Sequence, residues 1–228
     1  MQQLILCAAY AFIAYGIRRR AWNARLVLRG LSVWLAALAT FQIILVPLGG
    51  ASILRNALPF HLCSFTVMLT VPMLWTRNAR LFQFCWFLGM PAAMTALIFP
   101  AVGYSPWPGM ARWLFLTIHA TITWAPILMY VSGSRPERDG VWSTLIIGNV
   151  MLVGALVVNQ LLDSNYMFLS AAPAGTPLTA LAANGKAAYL ASLECIALLL
   201  MRILSRLTIR RSAINSSQNA FTPPRSAS

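Results

Sequence analysis

Long apolar runs alternate with short polar turns along most of the chain. Each run is close to the ~20 residues that an α-helix needs to cross the hydrocarbon core of a bilayer. The pattern therefore predicts an all-α, polytopic membrane helix bundle with seven transmembrane helices. These helices are expected at residues 1–17, 27–48, 59–75, 81–99, 111–131, 141–162 and 186–204.

The composition agrees with a membrane protein. Hydrophobic residues make up 59% of the 228 residues and charged residues 9%, whereas a soluble domain is about a quarter charged. In a soluble protein, the net charge of +13 would indicate a nucleic-acid partner. Here the arginines stand between apolar runs, where they determine membrane orientation, so we predict no nucleic-acid partner.

The distribution of positive charge predicts the topology. The arginine cluster at 18–20 follows the first apolar run, whereas a signal peptide carries its positive charge first. We therefore expect that run to be a span with its N-terminus outside. On this topology Arg55, Arg112 and Lys186 lie outside, and the other fourteen basic residues lie inside. The positive-inside rule then places the C-terminus inside.

We predict one transmembrane domain at residues 1–211 and a disordered cytoplasmic tail at residues 212–228. The tail is rich in Ser, Asn, Thr and Pro, a composition that buries too little apolar surface to fold. The basic, compact chain as a whole, rather than any particular residue, gives the impression of a bacterial protein. We therefore expect a multi-pass protein of the bacterial inner (plasma) membrane.

Polar residues are few within the predicted spans, and nearly all of them lie in the outer half. Polar groups inside a membrane are costly, and they usually face the interior of a bundle or a cavity. The sequence therefore predicts one polar pocket that opens to the outer leaflet. Its candidate residues are Gln42, His61, Cys63, His119, Asn159, Asp163, Asn165, Tyr166 and Glu194.

Cys63 is the candidate nucleophile. It lies in the first turn of a helix that begins near Pro59, where the helix dipole and free amides favour a thiolate. His61 is about 200° away from Cys63 around a regular helix, so His119, which comes from another span, is the better base. A packed core thiol and a structural histidine are the alternative interpretations.

Other polar residues have supporting roles in this interpretation. Glu194 stands alone in an apolar span, where it orients His119, binds a lipid headgroup or makes an interhelical hydrogen bond. Asp163 and Asn165 lie at the water boundary, where a turn or helix-cap role is the default. The four cysteines lack zinc-like spacing, and we predict neither a metal nor a cofactor.

Four motifs in this order resemble those of the YwaF-like/transmembrane protein 164 family, and the resemblance covers about residues 25–205. The motifs are Leu58-Pro-Phe-His-Leu-Cys63, Ile118-His119-Ala120, Asn165-Tyr-Met-Phe-Leu169 followed by Pro173, and Leu193-Glu194. The resemblance implies a multi-span helical protein. The family's eukaryotic member is a lipid acyltransferase that moves a polyunsaturated acyl chain onto lyso-ether phospholipids through a cysteine nucleophile and a partner histidine. The matching positions here are Cys63 and His119.

Two features depart from the family pattern. Ser64 stands where an acidic residue is expected in bacterial members, and Lys186-Ala-Ala replaces a Trp/Pro-rich start of the last span. Both departures bear on headgroup recognition more than on the Cys/His pair.

The leading hypothesis is an integral membrane phospholipid acyltransferase or acyl hydrolase that acts on the outer leaflet. His119 would deprotonate Cys63, and the thiolate would take an acyl group from a phospholipid and pass it to a lysophospholipid or to water. Amides at the start of the third span, with Asn165 or Tyr166, would hold the oxyanion, and His61 would support the site. We expect membrane phospholipids and lysophospholipids as partners, and no protein partner is evident.

Two alternatives compete with this hypothesis. Polar residues around proline-kinked helices also suit a transporter or a small-solute-binding protein, although the chain has no internal repeat and no acidic path through the inner half. Two histidines and a thiol, at His61, His119 and Cys63, would also suit a metal or haem site.

Overall fold

A computed structural model describes residues 1–100, 102 and 105–220, with side chains to residue 208. Within this part of the chain the fold is helical and contains no strand. The helices are α1 (Gln2–Arg18), α2 (Ala24–Leu48), α3 (Ile53–Asn56), α4 (Leu62–Thr76), α5 (Ala79–Phe84), α6 (Met90–Ile98), α7 (Pro108–Val131), α8 (Gly140–Leu162), α9 (Leu178–Ala182) and α10 (Lys186–Ala220). A π-helical turn (Cys85–Gly89) joins α5 to α6, and a 3-10 turn (Tyr166–Phe168) follows α8.

The predicted all-α membrane architecture is confirmed in its main features. Among the described residues, five helices are long and apolar enough to cross a membrane. They are Ala24–Leu48, Ala79–Ile98, Pro108–Val131, Gly140–Leu162 and Lys186–Thr208. The predicted spans at 1–17 and 59–75 correspond to shorter helices, α1 with 17 residues and α4 with 15.

The end of the chain was predicted as a tail from residue 212. Helix α10 extends into this stretch as far as Ala220. Residues 221–228 lie outside the described part of the chain.

Helix α7 lies at the centre of the bundle. Of its apolar stretch 72% is buried, compared with 17% for α2 and 11% for α10. Helices α1, α2, α4 and α6 all pack against it, and Tyr10 of α1 shares a hydrogen bond of 2.6 Å with Thr121 of α7. The polar side chains in the middle of α7 (Thr117, His119, Thr121 and Thr123) are therefore buried, whereas α2 and α10 present large apolar side chains outward.

The bundle has a tightly packed junction between α4 and the π-helical turn. Pro91 has no N–H group, so it cannot continue the regular hydrogen-bond ladder, and the turn just before it closes with a Met90 N–H···O=C Cys85 bond. A Cβ on Gly89 would collide with the side chain of Thr66 on α4. The glycine therefore permits the close approach of the two helices.

Three arginine-bearing turns meet at one end of the bundle, which we call the arginine end (residues 19–23, 77–78 and 132–139). The Arg77 guanidinium donates to the Ser132 carbonyl at 2.8 Å. Gln83 donates to the Arg135 carbonyl and accepts from the Glu137 N–H. These bonds join the turn after α4 and helix α5 to the turn after α7.

The opposite end of the bundle, the loop end, comprises residues 49–61 and 163–185. Gly49, after α2, lies against Pro106, before α7, so closely that a Cβ would be 3.2 Å from the proline ring. Arg55 forms an exposed ion pair of 3.9 Å with Asp163, after α8. Four of the nine candidate residues lie in the loop end, namely His61, Asp163, Asn165 and Tyr166.

Candidate functional site

The loop after α8 is folded back onto that helix by Asn159. This side chain is 6% exposed. Its Nδ2 donates to the Tyr166 carbonyl at 2.9 Å, and its Oδ1 accepts from the Tyr166 N–H at 2.6 Å. The Ser164 hydroxyl donates to the same Oδ1 at 2.9 Å. A buried amide thus fixes the backbone of one loop residue at both its polar groups.

Tyr166 connects this loop to the segment that leads into α4. Its hydroxyl donates to the Leu54 carbonyl at 2.8 Å and accepts from the Leu58 N–H at 3.1 Å. The residue is fully buried, and its ring contacts the rings of Phe60 and His61. Burial raises the pKa of Tyr166, so the hydroxyl keeps the proton that it donates.

His61 is the N-cap of α4, with extended backbone at φ −75° and ψ 138°. Its Nδ1 accepts from the Met167 N–H at 3.3 Å, so the neutral ring carries its proton on Nε2. Met167 and Phe168 have φ values of 55° and 57°, a left-handed conformation that is uncommon without glycine. The motif around His61 and the motif around Tyr166 therefore dock onto each other, and we call His61, Asn159, Tyr166 and Met167 the Tyr166 cluster.

Cys63 follows in the first turn of α4. The side chain is half-buried and packs against an apolar cluster that includes Leu114 and Ile118 of α7. No side chain caps this helix, and the first amides of any α-helix lack partners within it. The cysteine therefore lies beside backbone N–H groups that are able to stabilise negative charge.

His119 is buried on the central helix, with 8% of its surface exposed. Its Nδ1 lies 2.7 Å from the Phe115 carbonyl, and its ring stacks on the Phe115 ring at 4.0 Å. A carbonyl oxygen only accepts, so Nδ1 carries the proton and Nε2 has the free lone pair. The ring is thus fixed in the tautomer that a general base requires at Nε2.

Cys63 and His119 lie on helices that pack against each other. Cys63 contacts the cluster of Ile118, the neighbour of His119 in sequence. Within the described residues, no hydrogen bond joins Cys63 to His119 or to His61. A base and its nucleophile are often apart in a substrate-free site and meet only in the substrate complex.

The remaining candidates are Asn165, Asp163, Gln42 and Glu194. Asn165 closes its own loop, because its Oδ1 accepts from the Ser170 and Ala171 N–H groups and its Nδ2 donates to the Ala171 carbonyl. Asp163 ends α8 in a left-handed conformation. Gln42 is exposed on α2.

Glu194 is half-buried on α10. In the part of the chain that is described, it has neither an ion pair nor a hydrogen bond, so it does not orient His119 in this structure.

The structure therefore joins His61, Asn159 and Tyr166 in the Tyr166 cluster. Cys63 follows this cluster on α4, and His119 lies on the neighbouring helix α7, with no hydrogen bond between the two among the described residues. Gln42 and Glu194 have no hydrogen bond to any of these residues in that part of the chain. Sequence reasoning missed the carbonyl of Phe115, which orients His119, although its spacing of four residues on a helix is a readable signal. It also missed the Met167 N–H as the partner of His61. No sequence signal marks that contact, because methionine rarely adopts a positive φ.

The alternative of a metal site was tested against the same geometry. Across the residues with described side chains, no three His, Cys, Asp or Glu residues come together as possible ligands. His61, Cys63 and His119 in particular do not form such a set.

Comparison with known proteins gives one family. The model of the TMEM164 family matches residues 2–205, which include Cys63, His119 and the Tyr166 cluster. Neither the curated proteins nor the solved structures with which the sequence was compared contain a match.

Proposed function

The chain belongs to the TMEM164 family, and from this membership and the position of Cys63 we propose that it is an integral membrane phospholipid acyltransferase or acyl hydrolase. Cys63 is the nucleophile and His119 the general base. The acyl group passes through a thioester on Cys63. The substrates are membrane phospholipids, and the acceptor is a lysophospholipid hydroxyl or water.

One observation carries the proposal, namely that Cys63 lies in the first turn of a helix without a side-chain cap. Both the thiolate and the oxyanion of an acyl-transfer intermediate are anions, and free amides at a helix start stabilise anions. The cysteine also packs against an apolar cluster to which α7, the helix that holds His119 inside the bundle, contributes Leu114 and Ile118. This combination of thiol, amides and an oriented imidazole is the arrangement that acyl transfer requires.

The reaction follows from these groups. His119 Nε2 accepts the proton of the Cys63 thiol, and the thiolate attacks the ester carbonyl carbon of a phospholipid. The ester C–O bond breaks, and the lysolipid oxygen leaves with the proton from His119. His119 then deprotonates the acceptor hydroxyl, which attacks the thioester and restores the Cys63 thiol.

In this proposal the backbone N–H groups at the start of α4 stabilise the oxyanion of the acyl-transfer intermediate. Tyr166 donates its hydroxyl proton to the Leu54 carbonyl, and the Asn165 side chain is engaged by Ser170 and Ala171. Both are therefore occupied by structural bonds in this conformation. Their role in the proposal is to hold the segment before α4 in place.

The proposed topology has seven spans, with the N-terminus outside and the C-terminus inside. The five long helices are five of these spans, and the shorter helices α1 and α4 are the other two. Basic turns are retained on the cytoplasmic side, so the arginine end faces the cytoplasm and the loop end faces outward. In this orientation Cys63 meets the outer leaflet of the bacterial inner membrane.

Lipid turnover by the purified protein tests the function. The protein is reconstituted with a phospholipid that carries a labelled acyl chain, with and without a lysophospholipid acceptor. We expect Cys63→Ala to abolish release and transfer of the label. Cys195→Ala is the matched control, because Cys195 is exposed on α10, and it should retain activity. Wild-type turnover by Cys63→Ala would overturn the proposal.

A further inference from the structure

A cleft of about 490 Å³ opens at the arginine end, far from Cys63 along α4. Its volume is in the range of small-molecule sites. It lies between the turn after α1 and the turn after α7. Its lining includes Arg18, Arg20 and Trp22 from the end of α1 and the turn after it, and Val131, Ser132 and Gly133 from the end of α7 and the turn after it.

The two guanidinium groups of this cleft are available to a ligand. Arg18 and Arg20 are exposed, and neither has a side-chain hydrogen bond or ion pair among the described residues. Their neighbour Arg19 differs, because its Nε donates to the Tyr15 hydroxyl at 3.2 Å and its guanidinium lies over the Tyr15 ring. The positive charge of this turn is thus directed partly into the cleft.

The end of α1 and Trp22 form one side of the cleft. Trp22 packs on Gly16, where a Cβ would lie 2.7 Å from the indole ring, and its ring meets Phe12 edge-on at 5.3 Å. Helix α1 ends in a Schellman motif, with bonds from the Ala21 N–H to the Gly16 carbonyl and from the Arg20 N–H to the Ile17 carbonyl.

Arg20 occupies the position of this motif that favours glycine. Its φ is 56°, a conformation that costs an arginine free energy and a glycine none. Helix α7 ends beside it with the same pair of bonds, and there the equivalent residue is Gly133, with φ 114°. Membrane orientation accounts for a positive charge in this turn but not for an arginine in the left-handed position. A ligand that needs the guanidinium accounts for both.

A third arginine, Arg77, holds the turn after α7, which forms the second side of the cleft. Arg77 donates to the Ser132 carbonyl at 2.8 Å and to the Ser132 hydroxyl at 3.3 Å. Open space adjoins Gly133, since apart from its chain neighbours no atom lies within 4 Å of the place where its Cβ would be. The cleft therefore combines the packed ring of Trp22, open space beside Gly133, and the guanidinium groups of Arg18 and Arg20, which have no partner among the described residues.

We propose that this cleft binds a phosphate group. Guanidinium groups pair with phosphate through charge-assisted bidentate hydrogen bonds, and basic pockets between helices at the cytoplasmic side suit lipid headgroups. The phosphate belongs either to an anionic phospholipid of the adjacent leaflet or to a soluble phosphate ester. This site is independent of the proposed acyl transfer at the other end of the bundle.

Binding measurements on the purified full-length protein separate the two sources. Native mass spectrometry counts bound phosphatidylglycerol against phosphatidylcholine, and calorimetry measures binding of glycerol 3-phosphate in detergent. Loss of phosphatidylglycerol binding in the double variant Arg18→Gln/Arg20→Gln, without binding of glycerol 3-phosphate, assigns the site to the lipid. Binding of both probes, lost together, assigns it to phosphate in general.

Arg19→Gln is the single-charge control, because it removes one positive charge from the same turn and Arg19 is not part of the cleft lining. The double variant removes two charges, and Arg20→Gly removes one, as Arg19→Gln does. We expect the double variant to lose at least tenfold in affinity and Arg19→Gln to stay within twofold of wild type. Arg20→Gly keeps the test valid if the double variant folds poorly, because glycine suits the left-handed position. This variant should melt no lower than wild type. It should bind the phosphate-bearing probe about tenfold more weakly. Equal losses in Arg19→Gln and in the cleft variants would overturn the proposal.

Discussion

Asn159 holds Tyr166 by both polar groups of its backbone, with Nδ2 2.9 Å from the Tyr166 carbonyl oxygen and Oδ1 2.6 Å from the Tyr166 nitrogen. Tyr166 in turn bonds Leu54 and Leu58, which lead into α4. A chain of hydrogen bonds therefore runs from α8 to the turn that presents Cys63. We therefore expect the geometry of the proposed site to depend on Asn159 and Tyr166.

Asn159→Ala tests this chain. The substitution leaves the Tyr166 N–H and carbonyl unpaired and buried, and each unsatisfied group costs about 1–3 kcal/mol. We expect a lower thermal midpoint and reduced lipid turnover. Asn149→Ala is the control, since Asn149 lies on the same helix and donates from an exposed position to the Leu145 carbonyl. Equal midpoints for the two variants would contradict the role of Asn159.

His61 is predicted to position α4 rather than to act as a base. Asn replaces the Nδ1 acceptor with Oδ1 at a similar place, so His61→Asn should keep the bond from the Met167 N–H and retain most of the activity. His61→Ala loses that acceptor and should lower kcat several-fold. Turnover assays compare the two variants, and near-complete loss of activity in His61→Asn would assign the imidazole a chemical role.

His119→Asn separates orientation from basicity. The Asn amide is able to donate to the Phe115 carbonyl as Nδ1 does, but it has no group equivalent to Nε2. General-base catalysis contributes about 10²–10⁴-fold, so we expect acylation of Cys63 to slow by that factor in single-turnover experiments.

Thr123→Val, on the same face of α7, is the comparison for His119→Asn. Among the described residues its hydroxyl bonds only the His119 carbonyl, and the variant should react at nearly the wild-type rate. Equal rates for His119→Asn and wild type would remove His119 from the mechanism.

The contact of Gly89 with Thr66 predicts a stability effect. Gly89→Ala places a methyl group against the Thr66 side chain, and overpacking of this kind costs about 1–3 kcal/mol. Thr66→Ser removes the nearest carbon, so the double variant should recover much of the loss. Gly30→Ala has open space around it and should melt at or above the wild-type temperature. Thermal unfolding in detergent measures all three.

Much of the fold was predictable because spans are long and their apolar character is continuous. The boundaries of the helices were less predictable. We placed the start of the second span at residue 27, whereas α2 begins at Ala24, because the Asn23 side chain accepts from the Arg25 and Leu26 N–H groups and caps the helix. The π-helical turn before Pro91 was not foreseen, since hydropathy carries no information on hydrogen-bond register.

The candidate site was predictable as a set of residues but not as an arrangement. Polar side chains inside spans are rare enough to stand out, and this singled out His61, Cys63 and His119. Their partners were not visible, because they are backbone groups of Phe115 and Met167. Tyr166 was expected near the chemistry, and its hydroxyl instead makes structural bonds to Leu54 and Leu58.

The central claim is a thioester on Cys63, and intact-protein mass spectrometry tests it most directly. Purified protein is incubated with mixed phospholipids, quenched in acid and weighed before and after hydroxylamine treatment. We expect an acyl-sized mass increase in wild type and in Cys195→Ala that accumulates in single turnover without acceptor and is removed by hydroxylamine. This increase should be absent from Cys63→Ala. The same adduct in Cys63→Ala, or lipid turnover in that variant at the wild-type rate, would contradict the central claim.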